Sequence, residues 1–462
     1  MKKKVITGAA SLALAGLAAL SLASCGGGSK LNNGGNVFHI YAWNTEFQGF
    51  FNKYVSDEKS NDNPNATHHL DGIPVKWTIT TSDNGAYQNA LDTALRENQG
   101  ANEENKVDMF LAEADYILKY TNTSLTKDVK TIGVTNFENA YQYTVDAASD
   151  KNGVVKGVSF QCCPAGMVYR RSIAKEVLGT DDPAQVQTKV NSWEKFDTVA
   201  AQMKAKGYLM TASYADTYRV FSNNVDKPWV DDNKKLTMPT AVKTWMTQAE
   251  KYVKEGYTKT EGVWDAGKTA EFTKDGKAFC TFGPAWYYNF CMGTAMGDAS
   301  KPATDEINVN KSYGDWAVVE GPQAHFWGGT WMLATADGSN DDLVAKTMNA
   351  FLNDETVCKE LVTKESQFSN NKKVNEAVAN EYETQNKGNG FLGGQNDTKI
   401  WVEMADNIKF KYNTIYDQHC NEGLQTAFVK YLKGDDEINT KEKALNDFYT
   451  ELKKTFPNIV TD

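Results

Sequence analysis

The sequence predicts an α/β protein built as two lobes. Its 462 residues exceed the ~250–300 at which a single hydrophobic core stops growing. Strand-like and helix-like segments alternate with short loops after the N-terminal region, the β–α–β–α–β order of a parallel sheet. Each early strand ends in polar and aromatic residues, as expected where strand carboxyl ends face a ligand cleft.

The N-terminal region comes first. Lys2-Lys3-Lys4 is a charged n-region, and residues 5–23 are small and apolar, the pattern of a signal peptide. It closes on Leu22-Ala23-Ser24-Cys25, which resembles the lipobox of bacterial lipoproteins. That resemblance implies a lipid on Cys25, anchorage to the cell membrane and exposure on its extracellular face. The Gly/Asn/Ser-rich stretch up to residue 36 reads as a flexible tether.

Strand one is expected over residues 37–43 and runs into Asn44 and Glu46. Strand two covers 74–80 and runs into Asp83 and Asn84. A helix then places Tyr87, Leu91 and Leu95 on one face. Strand three, residues 107–112, ends in Glu113, Asp115 and Tyr116. A strand over 153–160 is interrupted at 161–166 and resumes at 167–171. Helices are expected from Ser172, Ser192 and Pro239, each stopped by a Gly, with a strand over 208–213. A final strand covers 332–336, and three amphipathic helices bring the chain towards its end.

The remaining elements are organised around residues 279–290, FCTFGPAWYYNF. An apolar strand is broken by Gly283-Pro284, and a helix carrying Trp286, Tyr287 and Tyr288 is expected to follow. Such rings either cap a core or line a cleft. Trp193, Trp245 and Trp316 fall on apolar stripes or strands and are assigned to the core.

Composition narrows the function. The net charge is −10, and the first 24 residues hold three Lys and no acid, so the rest is more acidic still. An acidic chain without a basic stripe argues against nucleic acid. Six Cys lie beyond Cys25. No CxxC or Cys/His spacing suggests zinc, and no metal or cofactor is expected. Cys280 and Cys291 are spaced to close a loop around the ring cluster; six buried thiols are the alternative.

The landmarks together resemble the extracellular solute-binding proteins of carbohydrate ABC transporters, the family that includes maltose-binding protein. They are Tyr41-Ala42-Trp43-Asn44, Asp108-Met109-Phe110-Leu111, Tyr169-Arg170-Arg171-Ser172 and Asn191-Ser192-Trp193. Ala270-Glu271-Phe272 and Asp275-Gly276-Lys277-Ala278 then lead into Gly283-Pro284-Ala285-Trp286, similar to the family's Gly-Pro-Trp turn with its sugar-stacking ring displaced by one residue. The resemblance implies the two-lobe periplasmic-binding-protein type II fold, with a hinge and an interlobe cleft. It places 37–161 and 313–365 in lobe one, and 162–312 and 366–462 in lobe two. Crossings are expected near residues 161–164, 311–313 and 366. It implies a mono- or oligosaccharide ligand, ABC permease subunits as partners, a monomer, and no catalysis.

A sugar offers C–H faces to flat rings and hydroxyls to carboxylates and amides. The candidate binding residues are Trp43, Asn44, Glu46, Asn84, Glu113, Asp115, Gln161, Asp216, Arg219, Trp264, Trp286, Tyr287, Trp327, Gly328 and Gly329. Asp216 and Arg219 are expected to pair, either to present hydroxyl partners or as a structural ion pair. Asn44 and Glu46 would otherwise cap the first helix. Three rivals stand beside this reading. A glycoside hydrolase needs the same rings and a carboxylate pair. A peptide-binding protein suits the same side chains. A metal receptor would rest on five His, with His68-His69 in an Asn/Asp-rich loop.

Overall fold

The computed structural model describes residues 31–298 and 301–461. Eleven strands follow in chain order: β1 Phe38–Ala42, β2 His69–Leu70, β3 Ile73–Ile79, β4 Met109–Glu113, β5 Gly157–Ser159, β6 Pro164–Arg170, β7 Leu209–Thr211, β8 Ala278–Gly283, β9 Trp316–Val319, β10 His325–Phe326 and β11 Thr330–Ala334. They form two sheets. The first has the order β2-β3-β1-β4-β11-β5; the second has β10-β6-β8-β7, with β9 also on β6.

The first three expected strands and their helices lie in the first sheet. β3, β1 and β4 are parallel, as the alternating pattern requires. The sheet is mixed, however, because β11 enters from the other sheet and runs antiparallel to both β4 and β5. Helix Ala86–Glu97 buries Tyr87, Leu91 and Leu95, the i, i+4 face read from the sequence. Buried Asp108, just before β4, ties this lobe together. Its carboxylate accepts from the His39 N–H at 2.9 Å and the Ser339 N–H at 2.6 Å.

In the second sheet β6 runs antiparallel to β8, β9 and β10, and only β7/β8 is a parallel pair. Helices Trp193–Ala205 and Lys441–Thr455 are capped by Ser192 and Thr440, whose hydroxyls accept from backbone N–H groups three residues on. Helix Thr240–Lys254 buries Trp245 and starts after Pro239. Trp245 and Trp316 are fully buried, as expected. Trp193 is half-buried, its ring stacked on Phe221 at 4.2 Å.

Three expectations are corrected. Residues 313–326 were placed in the first lobe, yet β9 and β10 belong to the second sheet. The chain therefore passes between sheets at 327–329 rather than at 311–313. That strip lies beside the first crossing: the Trp327 N–H donates to the Cys163 carbonyl at 3.1 Å. The tether is also shorter than expected. From Asn32 it runs along residues 339–341, with Asn32 and Asp341 exchanging hydrogen bonds and the Gly34 and Gly35 N–H groups donating to the Ser339 carbonyl. The helix expected after Pro284 does form from Tyr287, although it passes through a π-helical turn, Tyr288–Met292, before Gly293–Met296. The signal peptide, Cys25 and the first tether residues lie outside the described residues. The six cysteines from Cys162 to Cys420 are free and buried, which removes the expected Cys280–Cys291 loop.

Candidate functional site

The strand ends of the two sheets meet around Trp327. This ring is half-buried on the strip joining β10 to β11. Three other rings surround it: Trp286 at 5.3 Å between centroids, Tyr287 at 5.5 Å and Trp264 at 6.0 Å. The Trp286 indole N–H donates to the Trp327 carbonyl at 3.2 Å. Edge and tilted contacts of this kind are the favourable arrangement for aromatic quadrupoles.

Local chain geometry explains how Trp286 arrives there. Gly283 ends β8, and a Cβ on it would lie 2.3 Å from Cγ of Tyr287. The missing side chain lets the Tyr287 ring fold back against the strand. Trp286, its neighbour, then turns towards Trp327. One helical turn on, Phe290 packs on Trp286 at 6.1 Å. Trp264 and Phe290 are 68% and 55% exposed, so the ring cluster reaches from half-buried to open surface.

Gly328 and Gly329 take φ of +74° and +118°, a left-handed path that disfavours any side chain. A Cβ on Gly328 would lie 3.4 Å from the Trp286 ring and 3.5 Å from Glu113 Oε1. Glu113 ends β4 and pairs with Thr330, which brings its carboxyl to the ring cluster. Its other oxygen accepts from the Asp115 N–H at 2.8 Å.

Burial raises the Glu113 carboxyl to about 8, with the neighbouring Asp115 charge adding to it and Arg219 opposing. Arg219, on helix Tyr218–Asn223, reaches across to Asp115 with two bonds of 2.6 and 2.5 Å. Its guanidinium lies 5.7 Å over the Trp327 ring. Asp417 and Glu422, on helix Asp417–Leu432, complete an acidic surround. Burial raises both, and the Asp115 charge pushes them further in the same direction.

A family model described as bacterial extracellular solute-binding protein matches residues 64–388. The chain belongs to this family. Solved structures share the fold at low identity. One titled extracellular solute-binding protein family 1 has TM-score 0.70 at 17% identity, covering 90% of this chain and 99% of its own. The ABC transporter associated binding protein of B. animalis subsp. lactis Bl-04, solved with β-1,6-galactobiose, has TM-score 0.63 at 14% identity, covering 93% and 100%. The galacto-N-biose-/lacto-N-biose I-binding protein of Bifidobacterium longum, solved with lacto-N-biose, has TM-score 0.60 at 11% identity, covering 94% and 100%. No curated protein sequence matches the chain. The family binds solutes and is not a family of enzymes.

Within this solute-binding protein the remaining candidates fall into two groups. Trp43 stays at the first-lobe rim, half-buried against Tyr87 at 5.6 Å and Tyr116 at 6.4 Å. Asn44, Glu46 and Gln161 have partners within the protein. The Asn44 carboxamide oxygen accepts from the Glu46 N–H at 3.0 Å, while Thr45 holds the N-cap position of helix Glu46–Tyr54. Glu46 accepts from the Gln367 amide at 3.1 Å, and burial raises it to about 7. The buried Gln161 side chain meets the Thr330 hydroxyl at 3.3 Å. Asn84 is exposed on a turn with φ +52°.

The expected Asp216–Arg219 pair does not form. Asp216 pairs with Lys268 at 2.5 Å, both side chains 1% exposed. Asp216 also accepts from the Ser213 N–H at 2.8 Å and the Thr281 hydroxyl at 3.0 Å. Lys268 donates to the Tyr287 hydroxyl at 2.6 Å, so Tyr287 faces inward and Trp286 is the less buried of the two rings. Sequence reasoning passed over Lys268, Phe290, Asp417 and Glu422. Phe290 alone carried a local signal, four residues beyond Trp286. Among the described residues no group of three His, Cys, Asp or Glu is arranged to hold a metal. His68 and His69 instead bond locally, to the Ser60 carbonyl and to Glu58. Among the described residues no helix is long and apolar enough to cross a membrane.

Proposed function

We propose that the chain captures a sugar or oligosaccharide between its lobes and delivers it, unaltered, to the permease subunits of an ABC importer. The observation that carries this is the convergence of Trp264, Trp286 and Trp327 with Glu113 and Asp115 where the two sheets meet. Flat rings suit the C–H faces of a pyranose, and a carboxylate accepts two hydroxyl hydrogens. Trp43 and Arg219 add a ring and a hydroxyl donor at the rim. The two relatives solved with disaccharides support the ligand class.

In this reading the first lobe takes residues 37–161 and the segment from β11 to about 365. The second takes β6 to β10 and the C-terminal helices. The protein works as a monomer, since hinge closure needs freely moving lobes. It is held to the extracellular face of the cell membrane by a lipid on Cys25. With residue 32 already bound to Asp341, the seven steps from Cys25 would let the lobe stand at most ~25 Å from that lipid, at ~3.3–3.6 Å per residue.

A thermal-shift panel of sugars and peptides tests the proposal, with chromatography of each sugar after incubation. A rise in melting temperature with sugars, and no shortened product, is expected. Stabilisation by peptides alone, or cleavage of an oligosaccharide, would overturn it.

A further inference from the structure

Asp115 and Arg219 belong to different sheets. Asp115 lies two residues beyond β4; Arg219 lies on the helix that follows β7. Their two bonds are the fork-to-fork geometry of the strongest ion pairs. The side chains are only 17% and 20% exposed, so solvent and salt screen them weakly.

The charges around the pair give it a further consequence. On the first-lobe side stand Glu113 and Asp115. On the second-lobe side stand Asp417 and Glu422, close enough that the Asp115 charge acts on both. Arg219 is the cation set between these carboxylates. Without it, the Asp115 carboxylate would be left unpaired in a buried acidic surround, and the tie between the lobes would be gone. Its guanidinium also lies over Trp327, the ring at the centre of the site.

We propose that Asp115 and Arg219 form a latch that draws the lobes together before any solute arrives. The resting protein is thereby biased towards closure. A ligand moves such an equilibrium only by its difference in affinity for the two states, so the latch also lowers the gain in closure left to the ligand.

The test is small-angle X-ray scattering of the ligand-free protein, from Cys25 onward, as wild type, Arg219→Gln and Asp115→Asn. The wild type is expected near the ~22 Å radius of gyration of a compact chain of this length. Arg219→Gln is expected to expand it, because the tie between the lobes is lost and the Asp115 charge is left unpaired. Asp115→Asn is expected to expand it less, because it removes that charge together with the latch. Circular dichroism of each variant separates opening from unfolding. Should Arg219→Gln not fold, Asp115→Asn alone decides. A wild type already expanded without ligand, or variants that scatter like the wild type, would overturn the latch. Neither result depends on which solute the protein carries.

Discussion

Replacing one member of the Asp216–Lys268 pair should be among the most damaging single changes in the second lobe. Both side chains are 1% exposed and 2.5 Å apart. Removing one partner of a buried pair costs about 3–5 kcal/mol, since the other charge is left without compensation. The two variants should differ. In Lys268→Met, Asp216 keeps the Ser213 N–H and the Thr281 hydroxyl, which places the loss near the lower end of that range. In Asp216→Leu, Lys268 keeps only the Tyr287 hydroxyl among its hydrogen-bond partners, which places the loss near the upper end. The double variant Asp216→Leu/Lys268→Met should recover most of either loss, because well-packed apolar groups often replace a buried pair at little cost. Urea unfolding reads all three as shifts in midpoint at unchanged slope. A loss under about 1 kcal/mol for Lys268→Met, or a double variant worse than both singles, would refute the reasoning.

Further predictions concern the site and the thiols. Trp264→Ala should leave stability within about 0.5 kcal/mol, as for other exposed positions, yet weaken binding of an oligosaccharide; paired thermal melts and titrations check this. Phe290→Ala should behave alike if the ligand extends along the exposed rings. Burial raises Glu46 to about 7 from its ordinary 4.5. A carboxyl raised on folding contributes stability that is full below 4.5 and is lost as pH climbs through 7. The stability of wild type relative to Glu46→Gln should therefore fall between those pH values, and a flat difference would contradict the burial argument. A chain starting after Cys25 should show no thiol reactive to a bulky reagent when native, and six after denaturation; four would indicate a disulfide.

Much of this architecture was legible because it is written locally. The apolar face of Tyr87, Leu91 and Leu95, the Ser192 cap and the Gly283-Pro284 break each sit within one turn of the chain. Strand ends then pointed to Glu113, Asp115 and Trp286. The partners of these residues were not legible, because they are distant in sequence. Asp115 and Arg219 are 104 residues apart, and Tyr287 and Lys268 are 19 apart. No periodicity encodes such pairs; they follow from how the sheets meet. Reading Asp216 and Arg219 as a pair followed their closeness in sequence, while the short turn between them aims the two side chains to opposite sides. The strands β9 and β10 were misplaced for a similar reason. An apolar run shows that a strand is buried, and says nothing of which sheet receives it.

The central claim is that the Trp327-centred rings and the adjoining carboxylates grip a sugar. Titration calorimetry of wild type and Trp286→Ala against oligosaccharides tests it most directly. One sugar per chain is expected, with affinity reduced at least tenfold in the variant, the loss of about 1.4 kcal/mol that stripping a partly buried ring brings. Heat from peptides alone, or a sugar affinity indifferent to Trp286, would contradict it.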